Sequence, residues 1–249
     1  MHNASPRAYA RVAGVAYLIV IACGLFAEAF VRERLVVSGN AAATAANILA
    51  NEPMWRLAFA AGVLMLFCNV VTALCYWVLF RPVHRRATML LLFFLLTANA
   101  VEAISLVFHH APLVLLQSRE YLAVFTDAQR QALAYASLVM HSASYNVCLA
   151  LFGGFDLSIA YLVLRSGLMP RVLGWLMALC GACYISNAFI AFVAPALASA
   201  LFPWLLLPCF VAELSFALWL ALRAVDAARW TQWELGAPAV AATTHQGRM

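Results

Sequence analysis

The sequence predicts an all-α fold, a polytopic transmembrane helical bundle of about six spans with both termini in the cytoplasm. Of its 249 residues, 66% are hydrophobic and only 10% are charged, whereas soluble domains are roughly 45–50% apolar and about 25% charged. The apolar residues form runs of about 20, the length that crosses the hydrocarbon core of a bilayer. A chain this apolar needs lipid as its solvent, so the lipid bilayer is its first expected partner.

Six apolar runs define the expected spans, and each is bounded by Arg, Pro or polar residues. They cover residues 12–31, 55–80, 88–110, 133–164, 172–194 and 203–225. We expect these spans to form a single transmembrane domain over residues 12–225. Residues 1–11 then form a short cytoplasmic N-terminus, and residues 226–249 form a cytoplasmic tail without regular structure.

The segments between the spans are short. The alanine-rich stretch 40–50 predicts a surface helix that ends at Asn51 before Pro53, and residues 117–132 form a second outer loop. Between the fourth and fifth spans, Gly167 suits the C-terminal cap of one helix and Pro170 suits the first turn of the next. These two spans should therefore be antiparallel neighbours.

Arginine placement predicts the orientation, because positively charged flanks are retained in the cytoplasm. With the N-terminus inside, ten arginines lie on the cytoplasmic side and five on the outer side. The inner set is Arg7, Arg11, Arg81, Arg85, Arg86, Arg165, Arg171, Arg223, Arg229 and Arg248. The outer set is Arg32, Arg34, Arg56, Arg119 and Arg130. This bias favours both termini inside.

Charge and cysteine content exclude two common classes of protein. The net charge is +5, but the arginines are scattered beside apolar runs and form no basic patch, so nucleic acid is not an expected partner. All seven cysteines fall inside the apolar runs, which argues against a disulfide framework. Cys180 and Cys183 have the spacing of a redox or metal motif, but they lie in an apolar helix with small neighbours, and we interpret them as packing residues.

A resemblance to a known family rests on motifs along most of the chain. They are Arg165-Ser166-Gly167-x-x-Pro170-Arg171-x-Leu173-Gly174, Gly181, Tyr184, His141-Ser142, Phe152-x-Gly154 and Glu213-Leu214-Ser215-x-x-Leu218-Trp219-Leu220. With these motifs the chain resembles, over residues 11–223, a bacterial membrane family catalogued as domain of unknown function 4386. The resemblance implies a multi-pass protein of the bacterial inner membrane and carries no activity. It also implies His where this chain has Asp156, so it transfers no metal role to that position.

Ionisable residues inside spans are the candidate site residues, because each costs at least roughly 2.5–3.5 kcal/mol at mid-membrane and usually faces the bundle interior. Glu28, Glu102 and Glu213 lie in the first, third and sixth spans. His109 follows Glu102 by seven residues, which places both side chains on one helix face. His141 and Asp156 share one face of the fourth span at two depths. The predicted buried polar cluster is Glu28, Glu102, His109, His141, Asp156 and Glu213.

Two interpretations of this cluster stay open. If Glu102, His109, His141 and Glu213 converge in the outer half of the bundle, their carboxylates and imidazoles suit zinc or iron. Alternatively, the acids form structural pairs, with Glu28 meeting Arg32 or Arg56. His109, placed before Pro112 at an expected helix end, is also explained by contact with interfacial water.

The sequence leaves open whether the chain is an enzyme. The first hypothesis is a non-catalytic membrane component, such as a sensor, an accessory subunit or a stress-linked protein. The second is a membrane-embedded, metal-assisted hydrolase that acts on a lipid-like substrate. The third is a transporter of small solutes coupled to protons, although no convincing inverted repeat supports it. A homo-oligomer or another membrane partner is compatible with each of them.

Overall fold

The computed structural model describes residues 5–117 and 120–236, and within these ranges all regular structure is helical. Six helices are long and apolar enough to cross a membrane. The prediction of an all-α, polytopic bundle with six candidate spans is therefore confirmed.

Eight helices follow one another along the described chain. They are α1 (Pro6–Leu35), α2 (Ala41–Ala50), α3 (Glu52–Phe80), α4 (Arg85–Leu116), α5 (Asp127–Ser166), α6 (Arg171–Val193), α7 (Pro195–Leu222) and α8 (Ala227–Glu234). A single 3-10 turn, Glu120–Leu122, lies between α4 and α5. The candidate spans are α1, α3, α4, α5, α6 and the part of α7 from Trp204 to Leu222.

Several helices extend beyond the expected boundaries, including α1, which begins at Pro6, and α7, which begins at Pro195. Two further extensions shorten the loop between α4 and α5. Helix α4 continues through Pro112 to Leu116, so His109 is inside a helix and not at its end. Helix α5 already begins at Asp127, where the Thr126 side chain and Gln129 form a capping box. The expected loop 117–132 is therefore much shorter than the sequence predicts.

The spanning helices close into a ring. Each packs against its neighbours in the order α1, α3, α4, α5, α6, α7 and back to α1. Small residues allow two of these contacts to be close: Gly14 of α1 lies against the backbone of α7, and Gly153 of α5 lies against the Gly181 carbonyl of α6. Helices α5 and α6 are joined through Gly167, which has a φ of 63° and caps α5 as the sequence predicts.

The short helix α2 lies over the end of the ring that carries the 3-10 turn. Its N-terminus is capped by the Asn40 side chain, whose Oδ1 accepts from the Ala43 amide at 2.9 Å. Ile48 of α2 is fully buried in a small core with Val31 and Trp55. The predicted surface helix is therefore present, and it packs mainly against α5, with smaller contacts to α4, α3 and the end of α1.

The prediction of a tail without regular structure from residue 226 is wrong for its first part, because Ala227–Glu234 form helix α8. Asp226 caps it, because its Oδ1 accepts from the amides of Ala228 and Arg229 at 3.0 and 3.1 Å. Trp230 Nε1 donates to the Leu79 carbonyl at 3.1 Å, and Trp233 Nε1 donates to the Ser166 carbonyl at 3.0 Å. These bonds tie α8 to the ends of α3 and α5. Residues 237–249 lie outside the described residues.

Replacing Asp226 by alanine is expected to destabilise α8 locally by about 1 kcal/mol, because two amides at the helix N-terminus lose their acceptor. That change corresponds to roughly fivefold faster hydrogen exchange for the α8 amides, measured by mass spectrometry in detergent. Glu234→Ala, at the other end of α8, is the control and should leave the exchange rate nearly unchanged. Equal exchange in both variants would contradict the capping role.

Candidate functional site

A π-helical segment in α1 supplies the first residues of the site. Residues Phe26–Arg32 form this segment, and the last α-helical turn of α1, Glu33–Leu35, follows it. Isolated π-helical turns are rare and are found frequently at functional sites. Here the segment carries Glu28 and Arg32, whose side chains form an ion pair. The Arg32 guanidinium carbon also lies 5.7 Å from the centre of the Tyr145 ring on α5.

Helix α4 supplies Glu102 and His109 on one face, as their spacing predicts. Both are buried, each with a relative exposure of 3%. Trp55 of α3 stacks on the His109 ring with 4.2 Å between ring centres, and its Nε1 donates to the His109 carbonyl at 3.0 Å. Since α4 continues beyond Pro112, burial and stacking hold His109 inside the bundle, away from the interfacial water that the sequence suggested.

Helix α5 supplies His141, which is 2% exposed. Its Nδ1 lies 2.8 Å from both the hydroxyl and the carbonyl oxygen of Ser105 on α4. Because a carbonyl oxygen can only accept, we assign the proton to Nδ1 and the lone pair to Nε2. The Ser105 hydroxyl in turn donates to the His141 carbonyl at 3.2 Å. These bonds fix the orientation of the imidazole, whose centre lies 5.7 Å from that of His109.

These residues line one cavity, and we refer to them as the pocket cluster: Glu28, Arg32, Glu102, His109, His141 and Tyr145. The space open to the centre of a water molecule is about 40 Å³, enough for roughly three waters. Three buried atoms of the cluster have no hydrogen-bond partner within the described chain: Glu102 Oε2, His109 Nε2 and His141 Nε2. Buried polar atoms are usually paired, so these three atoms are available to waters or to a ligand in the cavity.

A second set of polar side chains lies further along α5. We refer to it as the Asp156 cluster, and it consists of Asp156 of α5, Cys180 of α6 and Glu213 of α7. One ligand atom from each residue lies within 4.8 Å of the others. Cys180 Sγ donates to Asp156 Oδ2 at 3.2 Å, whereas Asp156 Oδ1 has no hydrogen-bond partner in the described ranges. The hydroxyls of Tyr17 and Tyr184 lie within hydrogen-bonding reach of the Glu213 carboxylate.

The two clusters are well separated along α5. His141 and Asp156 are 15 positions apart, which is about 22 Å along a helix axis. The structure therefore places Glu28, Glu102, His109 and His141 together and puts Asp156 and Glu213 elsewhere. It does not bring Glu213 to the other three residues of the expected metal set, because Glu213 faces Cys180 and Asp156 from α7.

Three residues were not among the predicted site residues. The position of Arg32 in the sequence indicates topology, and its i, i+4 spacing from Glu28 makes it one of the two expected partners of that acid. Tyr145 shares the buried face of His141, one turn along α5. Cys180 was interpreted as a packing residue, and nothing in the sequence around it indicates that α5 brings Asp156 to its thiol.

A family model described as a domain of unknown function, DUF4386, matches residues 12–224. The chain belongs to this family. The matched DUF4386 region contains every residue of both clusters. It also contains the six candidate spans, apart from the first residues of α1. Comparisons with curated proteins and with solved structures gave no match. This DUF4386 member is thus a multi-pass membrane protein, and any activity has to be argued from its own residues.

Proposed function

We propose that this protein is a membrane-embedded, metal-dependent hydrolase whose metal is held by Glu102, His109 and His141. The observation that carries the proposal is the set of three buried atoms without partners around one cavity. A buried polar atom left unpaired costs about 1–3 kcal/mol. Three such atoms around one cavity are explained if they share a ligand in the working protein.

The donor set supports zinc as that ligand. Two imidazoles and one carboxylate form the protein shell of several zinc hydrolases, where the remaining position holds a water. His141 also has the supporting contact expected of a metal ligand, because its Nδ1 donates to the Ser105 carbonyl and leaves Nε2 free. Iron accepts the same donors, but hydrolysis needs no redox chemistry, and zinc supplies an activated water at neutral pH.

Metal binding requires the three side chains to move closer together. Within the described residues, the group whose ligand atoms all lie within 4.8 Å is the Asp156 cluster and not the pocket. His109 and His141 line the same cavity as Glu102, with 5.7 Å between the two ring centres. Side-chain shifts that keep the His141–Ser105 bond would have to bring their Nε2 atoms toward Glu102.

Arg32 gives the pocket a second chemical group. Its guanidinium belongs to the same cavity lining and lies within electrostatic range of Glu102. A fixed cation beside a metal-bound water can stabilise the negative charge that develops on a scissile carbonyl or phosphoryl oxygen. We infer a substrate with an ester, amide or phosphoester group. A lipid-like substrate would reach it from the bilayer.

The small size of the cavity favours a second candidate function, that of a non-catalytic membrane component. Room for roughly three waters is too little for an acyl chain, so only the scissile group of a lipid could enter. A non-catalytic sensor, accessory or stress-linked component needs no larger space. In that case the main role of the pocket cluster is structural, through the ion pair between Glu28 and Arg32.

We propose the bacterial inner membrane as the location, with both termini in the cytoplasm. The distribution of arginines supports this orientation, as argued from the sequence. It places the turn between α5 and α6 together with α8 on the cytoplasmic side, because Trp233 joins α8 to Ser166. The pocket cluster then lies toward the outer face.

Elemental mass spectrometry of the detergent-purified protein tests the metal centre. We expect near-stoichiometric zinc at the pocket, with one equivalent lost in His141→Ala and in Glu102→Gln. His110→Ala is the matched control, because His110 follows His109 directly on α4 but does not line the cavity. The variants should also lose any hydrolysis of fluorogenic esters or labelled phospholipids in vesicles.

Folded variants that keep the full metal content of the wild type would contradict the metal centre. A wild type that binds no metal at the pocket, even after incubation with zinc, would do the same. Either result would leave the non-catalytic role as the better account. Metal binding without hydrolysis of any tested ester or phospholipid would support a metal sensor over an enzyme.

A further inference from the structure

We propose that Asp156, Cys180 and Glu213 form a second metal site in the middle of the bundle, which binds a divalent cation of the zinc class. This inference is independent of the proposed pocket centre, because none of its residues lines that cavity. The three ligands come from three consecutive spanning helices, α5, α6 and α7. A bound cation would therefore join one half of the helix ring.

The distances suit a small metal ion. Zinc binds thiolate sulfur at about 2.3 Å and carboxylate oxygen at about 2.0–2.2 Å, so tetrahedral ligands lie roughly 3.3–3.8 Å apart. In the structure the Cys180 Sγ and Asp156 Oδ2 atoms are 3.2 Å apart, and all three ligand atoms lie within 4.8 Å. Closing the site needs shifts of about 1 Å, which side-chain rotations can supply.

The donor types narrow the choice of cation. Thiolate is a soft ligand that favours zinc and related transition metals, whereas calcium and magnesium prefer oxygen donors alone. Two carboxylates add oxygen donors that zinc also accepts. A site with one sulfur and two carboxylates is therefore suited to zinc and poorly suited to magnesium or calcium.

The uncompensated carboxylates and the unpaired oxygen atoms around Asp156 support a bound cation in the Asp156 cluster. Asp156 has an exposure of 0%, and its Oδ1 has no hydrogen-bond partner among the residues that the structure describes. Tyr76, also fully buried, has a hydroxyl that is unpaired within the same part of the chain and lies within electrostatic range of Asp156. No salt bridge within the described residues involves Asp156 or Glu213. A divalent cation would offset two of the three negative charges carried by the Cys180 thiolate and the two carboxylates, and either oxygen of Asp156 could coordinate it.

Asp156 lies well inside the candidate span of α5. It is ten residues before the end of α5 at Ser166, which is about 15 Å along the helix. The hydrocarbon core is about 30 Å thick, so a span that leaves the core near Ser166 would hold Asp156 near mid-membrane. Ionisable residues at that depth are rare and usually belong to a functional site.

Cobalt substitution tests the site through a signal that only a thiolate ligand produces. We expect the cobalt-loaded wild type to show one near-ultraviolet thiolate-to-cobalt absorption band per chain, which added zinc removes. Cys180→Ser should abolish the band. Cys183→Ser, on the same helix three residues further on, is the matched control and should retain it. His141→Ala should also retain it, which separates this site from the pocket.

A second measurement needs no variant. Zinc K-edge X-ray absorption of the zinc-loaded wild type should show one sulfur neighbour at about 2.3 Å. The proposal is overturned if the loaded wild type shows no thiolate band and no zinc–sulfur distance. It is also overturned if the band survives in Cys180→Ser or disappears in Cys183→Ser. A band that is lost only in His141→Ala would assign the sulfur to another site.

Discussion

Replacing Gly14 by alanine is expected to lower the free energy of unfolding by about 3 kcal/mol, at the upper end of the usual cost of overpacking. A Cβ at this position would lie 2.8 Å from the Ala217 carbonyl oxygen and 2.8 Å from the Ala221 Cα on α7. These are backbone atoms that cannot rotate away, so α1 and α7 would have to separate. The ring of helices would then open where its first and last spans meet.

Thermal unfolding in detergent measures this effect, and α1 itself provides the control. At Gly24 the nearest atom to an added Cβ is the Met65 sulfur at 3.9 Å, which is ordinary contact with a flexible side chain. Gly24→Ala should therefore leave the stability unchanged or raise it slightly, because alanine is the better helix former. Similar melting temperatures for the two variants would show that the α1–α7 contact is looser than the structure describes.

Replacing Arg32 by methionine is expected to cost about 3 kcal/mol of stability, because the change leaves the buried Glu102 carboxylate without its nearby cation and breaks the ion pair with the partly exposed Glu28. The Arg32 side chain is only 13% exposed. It forms an ion pair with Glu28 and lies within electrostatic range of the almost fully buried Glu102. Methionine keeps much of the side-chain volume, so the measured loss reports mainly the missing charge.

A similar ion pair at the surface is the control. Arg56 pairs with Glu52 at the same i, i+4 spacing, but its side chain is 49% exposed. Arg56→Met should therefore cost less than about 1 kcal/mol in the same unfolding measurement. Adding Glu102→Gln to Arg32→Met should recover part of the loss, since it removes the uncompensated carboxylate. Equal losses for Arg32→Met and Arg56→Met would contradict a buried electrostatic role for Arg32.

Much of the fold could be predicted from local properties of the sequence. The six spans are visible as apolar runs, and the caps at Asn40 and Gly167 follow from residue type. The ends of α4 and α5 were less predictable. Pro112 suggests a helix end, but the structure continues α4 by another turn, because tertiary packing can override a local preference.

The candidate site could be predicted only in part. Spacing along a single helix places Glu102 beside His109, and it places His141 on the same face as Asp156, because helix geometry is local. Spacing says nothing about which helices are neighbours or how they are shifted along the membrane normal. For that reason Glu213 was grouped with the pocket residues, whereas α7 places it beside Cys180 and Asp156.

The sequence by itself determined that this protein spans a membrane with about six helices, because hydrophobicity over about 20 residues is a property of the chain and not of its packing. It also determined which ionisable residues must face the interior, since lipid excludes them. Only the tertiary structure decided that these residues form two clusters, one around Arg32 and one around Asp156. That division depends on helix order and axial shift, which arise from contacts between distant segments.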